Sequence, residues 1–113
     1  MFRFERLEVW KKAIDFYEAV SKAADKLRSQ DQFSLGEQLR RASLSISTNI
    51  AEGTGRESQK EANYFFNVSK GSVYEAVSLL TVMKKKEYLT EDHYLKLYNN
   101  ADEIAKMLSG LKK

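Results

Sequence analysis

"QLRRASLSISTNIAEG", residues 38–53, is the stretch on which the fold turns. Between Ser43 and Asn49 five of seven residues are Ser, Thr or Asn, which are mediocre helix formers. Leu39, Ala42, Ile46 and Ile50 nevertheless recur through them at three- and four-residue steps, the spacing of a helix face. Ser43 and Ser47 share one flank of that helix and Ser45, Thr48 and Glu52 the other, so its polar residues cannot all face water. Small hydroxylated side chains let neighbouring backbones come close, and they can donate to the carbonyl four residues back. Both are tolerable only where packing offsets weak propensity. A helix crowded on most sides is the expectation, with Asn49 in need of partners if buried.

The flanking sequence supplies the neighbours. Proline is absent and only five glycines occur in 113 residues, which suits long helices joined by short connections. A first helix is expected over about 7–28, with Trp10, Ala13, Ile14, Tyr17, Val20, Ala24 and Leu27 as its apolar stripe. A second runs over 35–52, begun by Ser34 and Glu37 at capping-box spacing and ended by Gly53 in a left-handed C′ conformation. A third, over 59–86, repeats the capping box at Ser58 and Glu61 and carries a broad face from Ala62 through Phe65, Phe66, Ser69, Val73, Ala76, Val77 and Leu80 to Met83. Thr90 caps a fourth over 91–111, with Glu91 and Asp92 where the helix dipole favours anions. Short connections make consecutive helices antiparallel neighbours. The fold class expected is therefore all-α, one up-down-up-down four-helix bundle over residues 1–113.

Composition narrows the chemistry. No cysteine is present, which excludes disulfides, thiolate metal sites and cysteine nucleophiles. The N-terminus "MFRFERLEVW" alternates charge with apolar residues and no later segment approaches a membrane span, so a soluble cytoplasmic protein is expected. The bundle metal centres that use two Glu-x-x-His pairs are excluded by a single histidine, His93, which has Thr90 and not Glu three residues before it. Lys70 beside Ser69 or Ser72 reads as a solvated lysine, not a dyad, and "GTGR" follows a helix and lacks the phosphate-loop lysine. No catalytic residue, cofactor or metal is expected.

Charge and small residues give the candidate binding positions. Net charge is +3 with a pI near 9.1, which permits an anionic partner. In the expected topology Lys26, Arg28, Arg40, Arg41, Lys84, Lys85 and Lys86 gather at one end, where they could follow a phosphate backbone, although Asp31, Glu37, Glu87, Glu91 and Asp92 lie there too. Glu52 opposes the dipole in the last turn of its helix and needs a cation. Arg3, Arg6 and Arg56 share its end, so a charged pair or network is expected to tie the N-terminal segment and the 53–57 turn to helix two. Gly71, in mid-helix, costs about 1 kcal/mol relative to alanine, and a close contact is the expected compensation. Trp10, Ser45, Asn49, Glu52, Arg56 and Gly71 are the candidate structural or subunit contacts.

The blocks "FERLEVWKKA" at 4–13, "QLRRASLSISTNIAEG" at 38–53, Arg56, Glu57 and Ser58 with Glu61, Phe65 and Phe66, and "GSVYEA" at 71–76 together resemble one family. These are the four-helix bundle proteins called 23S rRNA intervening-sequence proteins, first linked to reading frames inside insertions in bacterial 23S rRNA genes. The resemblance implies a bundle that assembles into a ring, typically a homopentamer, and implies no enzyme activity. Arg40, Arg41, Ser45, Asn49, Glu52 and Gly53 match its signature positions. A related branch, the accessory proteins of diversity-generating retroelements, is thought to bind a reverse transcriptase and nucleic acid. The expected function is a non-enzymatic homo-oligomeric module that binds RNA or DNA or a nucleic-acid-processing protein, with no membrane partner. The alternative is a protein–protein adaptor that presents Tyr88, Tyr94 and Tyr98.

Overall fold

The computed structural model describes residues 1–112. Lys113, the last position of the expected domain, lies outside them. A short 3-10 turn at Arg3–Arg6 leads into four helices: α1 (Glu8–Ala24), α2 (Glu37–Thr54), α3 (Gln59–Lys85) and α4 (Glu91–Leu111). No strand occurs among the described residues. Each helix packs on its neighbour in sequence and α1 also packs on α4, so the four close around a shared core. Phe16, Val20, Leu39, Ile46, Ile50, Leu80, Met83, Leu97, Ile104 and Leu108 are fully buried within it. Each such side chain contributes roughly 1.5–3 kcal/mol relative to leaving it in water.

Two helix starts follow their capping residues. Ser58 Oγ accepts the Glu61 N–H and Thr90 Oγ1 accepts the His93 N–H, each at 3.1 Å. The start of α2 departs from the expectation at Ser34. That residue makes no cap; it lies in a π-helical turn, Gln32–Gly36, which continues from a helical turn at Ser29–Asp31 into α2. Gln32 explains the difference. Its amide nitrogen donates to the carbonyls of Ala24 at 3.0 Å and Leu27 at 2.8 Å, satisfying the free end of α1, so the chain is already turning back before Ser34. The wider π turn then keeps Asp31, Leu35 and Leu39, spaced four apart, on the buried side.

The first helix is shorter than expected, ending at Ala24 and not Arg28, and its core face is rotated. Val9, Phe16 and Ala23 join Ala13, Val20 and Ala24 inside, while Trp10, Ile14 and Tyr17 are half-buried at the edge. Gly53 is also corrected: α2 runs through it to Thr54 and no glycine has positive φ. Its role is space. A Cβ there would lie 2.5 Å from the Phe66 ring. The left-handed residue is instead Glu87, at φ 68°, after the end of α3. The Tyr88 and Glu87 N–H groups return to the Met83 and Lys84 carbonyls at 3.0 and 2.9 Å, the paired bonds that close a helix C-terminus.

The hydroxyl-rich α2 is crowded as its composition requires. Its most extensive contact is with α3. Ser43 and Ser47 are buried and return their hydroxyls to the Leu39 and Leu44 carbonyls at 2.8 and 3.1 Å. Across the seam Ser69 Oγ donates to the Ile46 carbonyl at 2.8 Å and the Ser45 and Ser72 hydroxyls meet at 2.8 Å. Such contacts need the helix surfaces to approach closely, which side chains larger than serine would prevent.

Candidate functional site

The basic residues of the sequence do converge on one end, where the close of α1, the start of α2, the close of α3 and the start of α4 meet. At its centre is Asp31, only 6% exposed. Lys86 Nζ donates to its Oδ1 at 2.8 Å and the Tyr88 hydroxyl to its Oδ2 at 2.6 Å. The Tyr88 oxygen in turn accepts the Arg28 backbone N–H at 3.3 Å, and the Arg28 guanidinium lies 4.8 Å from the Tyr88 ring centre. The hydrogen bond from Lys86, and then that from Tyr88, hold the Asp31 carboxyl below its usual range against the opposing effect of burial.

The surrounding cations are also answered. Arg40 reaches Asp25 at 2.7 Å and Gln32 at 3.2 Å; Lys84 reaches Glu91 at 3.0 Å and lies over the Tyr94 ring at 4.4 Å; Arg41 pairs loosely with Glu37 at 4.0 Å. Lys26 and Lys85 are exposed and form no ion pair with a described residue. Exposed pairs of this kind add little stability, but they lower the field a polyanion would meet. The arrangement is better described as a latch between helix ends than as an open cationic surface.

The remaining candidates divide by depth. Asn49 Nδ2 donates to the Ser45 carbonyl and hydroxyl at 2.8 and 2.9 Å, which keeps both residues in the α2–α3 seam. Glu52 pairs with Arg56 at 2.6 Å, and that guanidinium also covers the Phe65 ring at 4.5 Å. Arg3 and Arg6 take no part in the pair. Trp10 packs edge-on against Phe4, ring centres 4.9 Å apart, which holds the N-terminal turn to α1. Gly71 is exposed, with nothing within 4 Å of where a Cβ would stand, so the close contact expected there is absent within the chain.

Two of the three tyrosines expected at an adaptor surface are engaged. Tyr88 and Tyr94 are half-buried, with hydroxyls committed to Asp31 and, at 3.0 Å, to Thr81; Tyr98 remains 42% exposed. The sequence places Asp31 at this end among other acids but does not mark it as the hub, since its partners lie 55 and 57 residues away. No group of three or more His, Cys, Asp or Glu placed to hold a metal occurs among the described residues, and no helix is long and apolar enough to cross a membrane.

A family model described as 23S rRNA-intervening sequence protein matches residues 5–110. A solved structure of a protein of unknown function from the S23 ribosomal protein family of Bacteroides thetaiotaomicron is similar at a TM-score of 0.82 and 26% identity, covering 93% of this chain and 99% of that one. No curated protein matches the sequence.

Proposed function

This chain belongs to the 23S rRNA-intervening sequence protein family, and on that premise we propose that it acts by binding and not by catalysis, as a homo-oligomer of up-down-up-down bundles. The observation that carries the reading is the outward face of α3. Tyr64, Val68 and Gly71 follow one another at helical steps along it and Val82 lies about three turns further on the same face, all exposed, and Leu44 of α2 is exposed one residue from the Ser45–Ser72 contact. A mid-helix glycine with open space around it gives up about 1 kcal/mol to no benefit inside the chain. A second backbone pressed against that face supplies the benefit. The pentameric ring implied by the family resemblance is the assembly we assign.

Mass measurement in solution tests this reading. The protein should run as a multimer at micromolar concentration, and Gly71→Trp should reduce it to a monomer whose helical circular dichroism is unchanged. A wild-type monomer, or a Gly71→Trp multimer, rejects the interface.

A second reading, contact with RNA at the basic end, is favoured by the unpaired Lys26 and Lys85. It requires an affinity that falls steeply with salt and with neutralisation of Lys84, Lys85 and Lys86 together. RNA retention by that triple variant rejects it.

A further inference from the structure

At the end of the bundle opposite the Asp31 latch, a cleft of about 460 Å³ opens between the N-terminal turn, the close of α2, the start of α3 and the last turn of α4. Its apolar lining includes Leu7, Ala62, Phe66 and Leu111, and its polar lining includes Arg3, Arg6 and Arg56. Arg3 and Arg6, like Lys26 and Lys85 at the other end, make no ion pair with a described residue; unlike those two lysines, they line a cleft. They also sit three apart in a 3-10 turn, the spacing at which side chains eclipse, so both guanidinium forks leave from the same edge. Arg56 is held at the cleft by Glu52, and Glu57 is the one acidic residue among those lining it.

We propose that this cleft is a binding site for a phosphate monoester carried on an organic body, with Arg3 and Arg6 gripping the phosphate and the half-buried Leu7 and Leu111 receiving the body. The planar donor fork of a guanidinium matches the spacing of two oxygens of a tetrahedral phosphate and binds them by two hydrogen bonds at a time. The volume lies in the range of ordinary small-molecule sites and far exceeds a lone phosphate. The first turn of α3 adds a favourable dipole at Ser58 and Gln59, although the Ser58 hydroxyl is already committed to Glu61. A free nucleotide and the 5′ end of an RNA both present this chemistry. All of its lining comes from a single chain.

Calorimetric titration at low salt, with mass measured in parallel to follow assembly, tests the site. The probes are adenosine monophosphate and a tetraribonucleotide with either a 5′-phosphate or a 5′-hydroxyl. One or both phosphate-bearing probes should bind below millimolar concentration, and whichever binds identifies the source. Arg3→Gln with Arg6→Gln should weaken binding at least tenfold, Glu57→Gln should strengthen it, and Lys22→Gln with Lys96→Gln, two exposed lysines outside the cleft, should leave it unchanged. Failure of both phosphate probes to bind, equal binding of the 5′-hydroxyl oligomer, or indifference to the Arg3 and Arg6 changes overturns the proposal.

Discussion

The two sides of α3 are built from the same kinds of small residue and use them in opposite ways. On the inner side Ser69 and Ser72 meet Ile46 and Ser45 of α2 at 2.8 Å, and Phe66 fills the space that Gly53 leaves. On the outer side Gly71 has nothing within 4 Å. A small residue in a sequence marks a close approach only if something approaches; composition alone does not say whether the neighbour is in the same chain. The same substitution on the two sides should therefore have opposite signs.

Gly53→Ala carries the largest expected effect. The added Cβ would stand 2.5 Å from one Phe66 ring atom, 2.9 Å from another and 3.2 Å from the Ala62 carbonyl. Phe66 is 5% exposed, so the ring can yield only by disturbing its own packing. Overpacking of this kind costs about 1–3 kcal/mol, against a gain of about 1 kcal/mol from replacing a helical glycine. A net loss seen in urea unfolding supports the crowded seam. A neutral or stabilising result would show that Phe66 swings freely and that the inner side is no tighter than the outer.

Asp31→Asn probes an end of the bundle where charges, not shape, hold the elements together. The folded carboxyl has a depressed pKa, so around its ordinary value of 3.8 the folded chain binds fewer protons than the unfolded chain. Its stabilising contribution is full above that pH and is lost as pH falls through the lower folded value. The variant should therefore melt below the wild type at neutral pH, with the gap closing as the pH is taken well under 3.8. A gap that persists in acid would assign the loss to packing and not to the Lys86 and Tyr88 bonds.

Much of this architecture was legible from periodicity and caps, because those signals are local. The fourth helix matches its expected bounds and Ser58 and Thr90 cap their helices as read, but the capping box expected at Ser58 and Glu61 is only half formed, since the Glu61 carboxylate accepts from the Ser58 hydroxyl. What else failed depended on partners distant in sequence. Ser34 has the spacing of a cap, but Gln32 reaches back to the end of α1 and starts the turn earlier. Gly53 has the position of a helix terminator, but the ring it accommodates is thirteen residues ahead on another helix. The basic cluster was visible together with Asp31 and Glu91 at the same end; which acid answers which cation, and the part played by Asp25, needed geometry. The same applies to the Arg3 and Arg6 cleft, whose walls come from four segments.

Gly71→Ala isolates the outer side. With open space at the Cβ position the exchange should stabilise the free chain by about 1 kcal/mol, the helix-propensity difference alone. In a domain of this size that amounts to roughly 4 °C in Tm. The measurement belongs in a background that does not assemble, since within a multimer the methyl group would also meet the neighbouring subunit. A gain in the monomer with weakened assembly in the wild-type background would give the glycine its purpose. A gain in both would mean that no backbone approaches it.

Ser45→Ala should do least, and for an instructive reason. The change removes the 2.8 Å contact with Ser72 and one of the two bonds from Asn49. Neither partner is stranded: Ser72 still donates to the Val68 carbonyl at 3.3 Å and Asn49 to the Ser45 carbonyl at 2.8 Å. Because both partners keep another bond, the two lost contacts together should cost what one ordinary hydrogen bond does, about 0.5–1.5 kcal/mol, against better helix propensity of about 0.5 kcal/mol, so the urea midpoint should move little. Ser69→Ala, which removes a fully buried bond to the Ile46 carbonyl at 2.8 Å, should cost more. If Ser45→Ala instead cost as much as Gly53→Ala, the polar network would be holding α2 against α3. If it costs nearly nothing, the hydroxyls are there because they are small, and steric fit brings the two helices together.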